Sequence, residues 1–264
     1  MEKQKELNSK MLKNKKVKYI IFVSLAVITA GILQYTHNTF SKADDKIKTE
    51  VQKIIPLYHI DKEENIVPID PKGDKKIVLL TIDDGPKNKK TLDPILKAMA
   101  DENVHAIFFS MGGFTKNHPE LLKETFDAGH TIGNHTWDHA NLKKSTDQKI
   151  KEEIDTTTIE INKVIGENPK IFRPPYGAYN QYAKDYVAQN RMVFTTWSLG
   201  AEDWVKKYQT KDILIKHVIE QLHPGANILM HEFPWTAEAM PEIIKQIKAK
   251  GYTIVDPKYL EYLN

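Results

Sequence analysis

Cysteine is absent from this chain of 264 residues. That excludes thiol nucleophiles, thiolate metal sites and disulfides together, so any bound metal must rest on histidine and carboxylate groups. Excess basic charge is missing from most of the sequence as well. Residues 1–18 hold seven Lys against two Glu, a local +5, which against the overall +3 leaves about −2 beyond Lys18. A body without a Lys/Arg-rich face does not fit a nucleic-acid-binding protein. Long apolar runs are equally scarce. The exception is residues 19–33, an uncharged segment directly behind the basic tract, with the one-sided flank of an export signal or membrane anchor. Its length falls between a signal-peptide core and a spanning helix, and Gln34 and Tyr35 can extend it. Ser41-Lys42-Ala43 has a small-x-small cleavage pattern but stands ten residues past Leu33. That distance favours an uncleaved single-pass anchor over a cleaved signal, which would leave a secreted protein.

With 41% hydrophobic residues the chain can bury one sizeable core. The expected organisation is a cytoplasmic basic tail and anchor over residues 1–35, a polar stalk over 36–74 and one catalytic domain over 75–264. From Lys75 onward, short β-type runs alternate with amphipathic stretches. Strands are expected over 77–82, 104–110, 131–132, 171–173, 192–197, 227–231 and 252–255. Helices are expected over 90–100, 119–128, 146–165, 211–222 and 238–250, with another near Gln181. The alternation predicts an α/β fold, a distorted (β/α) barrel of parallel strands, whose strand ends converge on one face.

Four segments fall just after such strands. Thr81-Ile82-Asp83-Asp84-Gly85-Pro86 places adjacent carboxylates at a strand-to-loop bend, where one can ligate a metal while the other stays free; alone it is also an ordinary surface turn. His135-Thr136-Trp137-Asp138-His139 spaces two imidazoles to share one face of a helical turn, completing with Asp84 a His-His-carboxylate set that leaves room for water and substrate. An isolated pair of this spacing is otherwise a surface coincidence. Arg173-Pro174-Pro175-Tyr176-Gly177 is a stiff loop able to fix an arginine and an amide, or simply a structural turn. Ile228-Leu229-Met230-His231 ends an apolar strand on a histidine, which by itself fits a core position. The polar helix over 146–165 reads as a solvated face.

Taken in order, these segments resemble the NodB-type polysaccharide deacetylases of carbohydrate esterase family 4 over residues 77–255, through Thr-Ile-Asp-Asp-Gly-Pro, His-Thr-x-x-His, Arg-Pro-Pro-Tyr-Gly and Leu-Met-His. The resemblance implies a divalent ion on Asp84, His135 and His139, usually Zn2+, with Co2+ or Ni2+ as variants. It implies Asp83 as catalytic base, His231 as general acid and the Tyr176 backbone N–H as an oxyanion donor. Arg173 would pair with Asp83 and Asp203 would orient His231, while Trp197, Trp204 and Leu229 would wall the acetyl pocket. The expected partner is an acetylated polysaccharide, and a domain anchored outside the membrane would face cell-wall peptidoglycan, most plainly its N-acetylglucosamine. An O-acetyl esterase, a chitin oligosaccharide deacetylase and a non-catalytic carbohydrate-binding domain are the competing expectations. One motif departs from the family: where Asp-x-x-Asp-Trp is frequent, this chain has Gly200-Ala201-Glu202-Asp203-Trp204, without the first acid.

Overall fold

Strand β3 (Ile77–Asp83) organises the molecule, and in the computed structural model, which describes residues 56–262, every one of its residues is buried. A continuous apolar run of this kind suits a parallel strand covered on both faces. β3 pairs with β4 (Ile107–Ser110) on one side and β9 (Ala226–His231) on the other. The sheet continues through β5 (Thr131–Asn134), β6 (Ile171–Phe172) and β7 (Val193–Phe194), and on the far side through β8 (Leu199–Gly200). All these pairings are parallel, and β10 (Thr253–Ile254) adds a short parallel contact to the start of β3. Edge strands β7 and β8 are consecutive in the chain yet occupy opposite ends of the sheet. The fold is therefore a curled half-barrel rather than a closed one.

The helices are α1 (Lys89–Asp101), α2 (Gly112–Asn117), α3 (Pro119–Asp127), α4 (Asp147–Ile165), α5 (Gln181–Gln189), α6 (Lys211–Gln221) and α7 (Pro234–Ala249). Helix α4 starts where the Thr146 side chain accepts from Lys149 N and stops at Gly166, whose φ of 81° lies in the left-handed region that glycine enters without penalty. Helix α7 begins at Pro234, ahead of the expected residue 238, because proline at the first helical position gives up an N–H that has no partner there.

Strand periodicity separates a structural face from a chemical one. Val78, Leu80 and Ile82 of β3 and Ile228 and Met230 of β9 face α1 and α7, packing on Leu92, Ile95, Met99, Ile243 and Ile247. Each such burial contributes roughly 1.5–3 kcal/mol. The alternate residues point into the half-barrel, where Ile77 and Leu79 join Ile107, Phe109 and Ile171 at its base. Continuing up the same faces come Thr81 and Asp83 on β3 and Asn227, Leu229 and His231 on β9. Register sets Asp83 directly opposite His231.

Part of the expected stalk belongs to this domain. Strands β1 (Tyr58–Ile60) and β2 (Ile66–Pro68) form an antiparallel hairpin that closes onto the domain: Ile66 N donates to Gly225 O, Leu57 N donates to Tyr259 O, and Ile66 is buried in the lower core. The polar composition of residues 56–74 concealed it because few residues, Ile66 with Tyr58 and Ile60, carry the packing. The expected anchor and the rest of the stalk lie outside the described residues. Among the described residues no helix is long and apolar enough to cross a membrane.

Below the sheet, His130 is buried and its Nδ1 accepts from Ala106 N at 3.1 Å. Burial, reinforced by the charge of His105, pushes its pKa from 6.5 down to about 4. Protonation would turn that acceptor into a donor facing another donor. A histidine whose pKa is lowered by folding favours the fold above its ordinary value, and that contribution is lost as pH falls from 6.5 toward 4. Urea unfolding at pH 7 and pH 4.5 should therefore show an acid loss that is smaller in His130→Asn by up to about 3 kcal/mol, the share this histidine contributes.

Candidate active site

Asp83 and Asp84 stand at the exit of β3, and the bend between strand and loop turns them different ways. Asp83 keeps the inward strand direction and is buried, whereas Asp84 has a φ of 69°, which swings its carboxylate toward the histidine loop. Asp84 Oδ1 lies 3.4 Å from His135 Nε2 and 3.4 Å from His139 Nε2. The three ligand atoms sit within 4.8 Å of one another.

The histidines do not share a helical turn. Residues 135–139 form an irregular loop in which Thr136 (φ 66°) and His139 (φ 62°) take left-handed backbone, and this geometry, rather than helical spacing, brings the two imidazoles together. The loop is held at most of its backbone N–H groups and at two of its carbonyls. His135 N donates to Ser110 O, Thr136 N donates to Asn134 Oδ1, and the carbonyls of Thr136 and Trp137 accept from Gly112 N and Gly113 N at the start of α2. Glu153, buried on α4, accepts from Trp137 N at 2.7 Å and Asp138 N at 3.1 Å, and is neutralised by Lys149 at 2.6 Å. The helix expected to be only a solvated face thus carries the acid that shapes the histidine loop. Asp138 itself is exposed. Glu153→Ala would leave two part-buried loop N–H donors without their carboxylate partner, and zinc affinity measured by calorimetry should fall about tenfold or more.

A divalent cation fits these residues. Asp84 Oδ1 is buried with no hydrogen-bond partner in the protein, as a ligand oxygen would be. The His135 Nδ1 hydrogen is directed to Arg173 O at 2.8 Å, which turns the Nε2 lone pair toward Asp84. Burial pushes the Asp84 carboxyl up, but contact with His135 and the charges of His231 and His139 hold it well below the usual carboxylate range. Burial lowers His139, favouring the neutral form that ligates.

Arg173 follows β6 and lies wholly inside the half-barrel. Its Nη1 donates to Asp83 Oδ1 at 2.8 Å and to Thr81 Oγ1 at 2.6 Å, and the guanidinium rests 4.1 Å above the Phe109 ring. The loop then turns at Tyr176, whose φ of 60° departs from the regular turn and whose ring meets His139 edge-on at 4.4 Å.

On the opposite wall, His231 Nδ1 contacts Asp203 Oδ1 at 2.7 Å, and Asp203 Oδ2 accepts from His231 N and Thr236 Oγ1. Burial alone would lower the His231 pKa; the Asp203 hydrogen bond and charge, helped by Asp83 and Asp84, raise it. Trp204 stands edge-on to His231 at 5.2 Å and is 42% exposed at the rim. Trp197 lies beside Gly177 and Gly200, and Leu229 is buried one inward position below His231. Where the family's frequent acid is missing, a Cβ on Gly200 would stand 3.3 Å from Trp197 Nε1 and 3.4 Å from Trp204 Cη2. Gly200 therefore sits between the two indoles, where any side chain would press on both.

Glu232 was not foreseen. It accepts from Lys87 N, Asn88 N and Thr91 Oγ1, and its carboxylate fills the space that a Cβ on Gly85 would need. It ties the loop after Asp84 to the strand end at His231. The one available signal was an acid next to a motif histidine.

The family model for polysaccharide deacetylases matches residues 70–195. The chain is 33% identical over 224 residues to the peptidoglycan-N-acetylmuramic acid deacetylase PdaC of Bacillus subtilis, covering 83% of this chain and 45% of that protein. A solved structure of the Bc1960 peptidoglycan N-acetylglucosamine deacetylase is 31% identical, with a TM-score of 0.66 over 71% of this chain and 89% of the other. The chain belongs to the polysaccharide deacetylase family. Its type is that of NodB and carbohydrate esterase family 4. Among the family's structures, a mutant of BA3943, described as a family 4 pseudoenzyme with restored enzymatic activity, is 31% identical with a TM-score of 0.65, over 69% of this chain and 65% of that one. The chain spans about half the length of the curated relatives it matches first. The matched segment of this deacetylase domain holds Asp83, Asp84, both loop histidines and Arg173, while Asp203 and His231 lie beyond it.

Proposed function

We propose that this domain is a metal-dependent hydrolase that removes N-acetyl groups from peptidoglycan glycan strands, releasing acetate, with N-acetylglucosamine as the first substrate to test. The observation that carries the reading is the side-by-side placement, at the ends of paired strands, of Asp83, held by Arg173, and His231, held by Asp203, next to the Asp84–His135–His139 set. A carbohydrate-binding domain has no use for a positioned base and a positioned acid. The Lys-rich tract and the apolar segment after it support a site outside the membrane, facing the wall.

Asp84, His135 and His139 would hold the ion, most plainly Zn2+. When bound it would polarise the acetamide carbonyl and acidify water. Asp83, with one oxygen fixed by Arg173, presents the other toward the cleft to take the proton from the attacking water. The Tyr176 backbone N–H is the proposed donor to the oxyanion that develops on the carbonyl oxygen. His231, kept protonated and oriented by Asp203, delivers its proton to the departing sugar nitrogen, so that the amine rather than the amide anion leaves. Trp197, Trp204 and Leu229 are proposed to enclose the acetyl methyl.

Incubation with zinc and either purified peptidoglycan or chitooligosaccharides, with released acetate quantified and the glycan analysed by mass spectrometry, tests the reading. Metal-dependent loss of acetyl from glucosamine residues is expected. Loss from muramic acid would keep the reaction and change the sugar, loss from chitin alone would change the polymer, and release only from O-acetylated glycan would overturn N-deacetylation.

A further inference from the structure

The base of the half-barrel is closed by the hairpin, and one carboxylate from it reaches the charged centre. Glu64 Oε2 accepts from Thr195 Oγ1 at 2.7 Å and from Thr196 N at 2.7 Å, on the segment that passes from β7 to β8. Thr195 Oγ1 accepts from Asn227 Nδ2 at 3.2 Å, and Asn227 Oδ1 accepts from Arg173 Nη2 at 3.2 Å. Arg173 then donates to Asp83. Thr195, Asn227 and Arg173 are all buried, so water cannot replace these links cheaply.

Three further observations point the same way. Glu64 has a φ of 66°, a left-handed conformation that an L-residue with a long side chain adopts at a cost and keeps only where its surroundings hold it. After Asp83, Glu64 is the carboxylate whose charge bears on the buried Arg173 guanidinium. The segment between β7 and β8, two edges that no ladder joins among the described residues, is tied down by this acid and by Asn227 of β9.

We propose that Glu64 is a positioning residue of the active site: through Thr195 and Asn227 the hairpin carboxylate fixes the Arg173 guanidinium, and thereby the orientation of Asp83. This rests on the deacetylase reading of the cleft, but it is testable apart from it. It gives the hairpin, which precedes the matched family segment, a part in the reaction.

Arg173 and Arg191 are the chain's only arginines. In the 15N-labelled protein the side-chain Nε–H region therefore carries one signal for each, and Arg173, being buried, is the slowly exchanging one. Glu64→Ala is expected to speed Arg173 Nε–H exchange about tenfold or more and to lower kcat for acetate release about tenfold with KM little changed, since small misplacement of a catalytic group has effects of this size. Glu64→Gln should restore both, because one amide oxygen can accept from Thr195 and Thr196 together. Should Glu64→Ala fail to fold, Thr195→Val cuts the relay one link further on with the hairpin in place, and the same changes are expected. Unchanged Arg173 exchange in the folded variants would overturn the proposal, as would equal impairment by Ala and Gln. A wild-type protein that releases no acetate would sink the deacetylase reading and leave the exchange measurement to decide the role of Glu64.

Discussion

Asp83→Asn is expected to lower kcat for acetate release by about 10²–10⁴-fold, the range that a lost general base produces, while leaving zinc affinity nearly unchanged. The substitution keeps the shape of the side chain and an oxygen to accept from Arg173 Nη1, so the fold should survive it. The neighbouring Asp84→Asn should act in the other order: zinc affinity falls first and activity follows, with partial recovery at high zinc concentration. The contrast between adjacent acids is the test. Asp83 Oδ2 lies 3.7 Å from His135 Nε2, only slightly farther than Asp84 Oδ1. If calorimetry showed that Asp83→Asn abolishes zinc binding, Asp83 would be a ligand and the base would have to be sought elsewhere. If the variant kept full activity with zinc bound, the assignment of Asp83 would be wrong outright.

Much of this cleft was legible because its residues sit at the ends of strands that announce themselves. The apolar run before Asp83 and that before His231 each mark a buried parallel strand, and a period of two carries both carboxylate and imidazole inward once the strands are placed. What escaped was structure with no period of its own. Strands of two or three residues, such as β1, β2 and β8, are too short to carry a period and are defined only by what they pair with, each other for β1 and β2 and the distant β9 for β8. The histidine loop was misread for a related reason: a spacing of four is the helical signature, yet Thr136 and His139 reach the same end through left-handed backbone that Glu153 and Asn134 hold in place. Glu153 shows the general difficulty. On a helix rich in Lys and Glu it looks like its neighbours by type, and what distinguishes it is its place on the buried stripe with Ile150 and Ile154, facing the N–H groups of Trp137 and Asp138.

Asp203→Asn is expected to act on the pH dependence rather than on zinc. A general acid must be protonated to work, so the rate falls as pH rises through its pKa. In His231 burial pulls that value down, and the Asp203 hydrogen bond and charge more than offset it, placing the alkaline limb of the wild-type kcat profile above the ordinary histidine value. Removing the carboxylate charge leaves burial in control. The alkaline limb should then move down by about one pH unit or more, with kcat at pH 8 reduced about tenfold or more and kcat near pH 6 much less affected. Stability carries the same sign: a histidine raised by its partner stabilises the fold below its unfolded value of 6.5 and loses that contribution as pH rises through the folded one. Asp203→Asn should therefore flatten the alkaline decline in thermal stability of the wild-type protein. A variant whose alkaline limb stays in place while the whole profile drops would show that Asp203 serves only to pack against Thr236 and Trp235, and the proton would then have to come from a group other than His231.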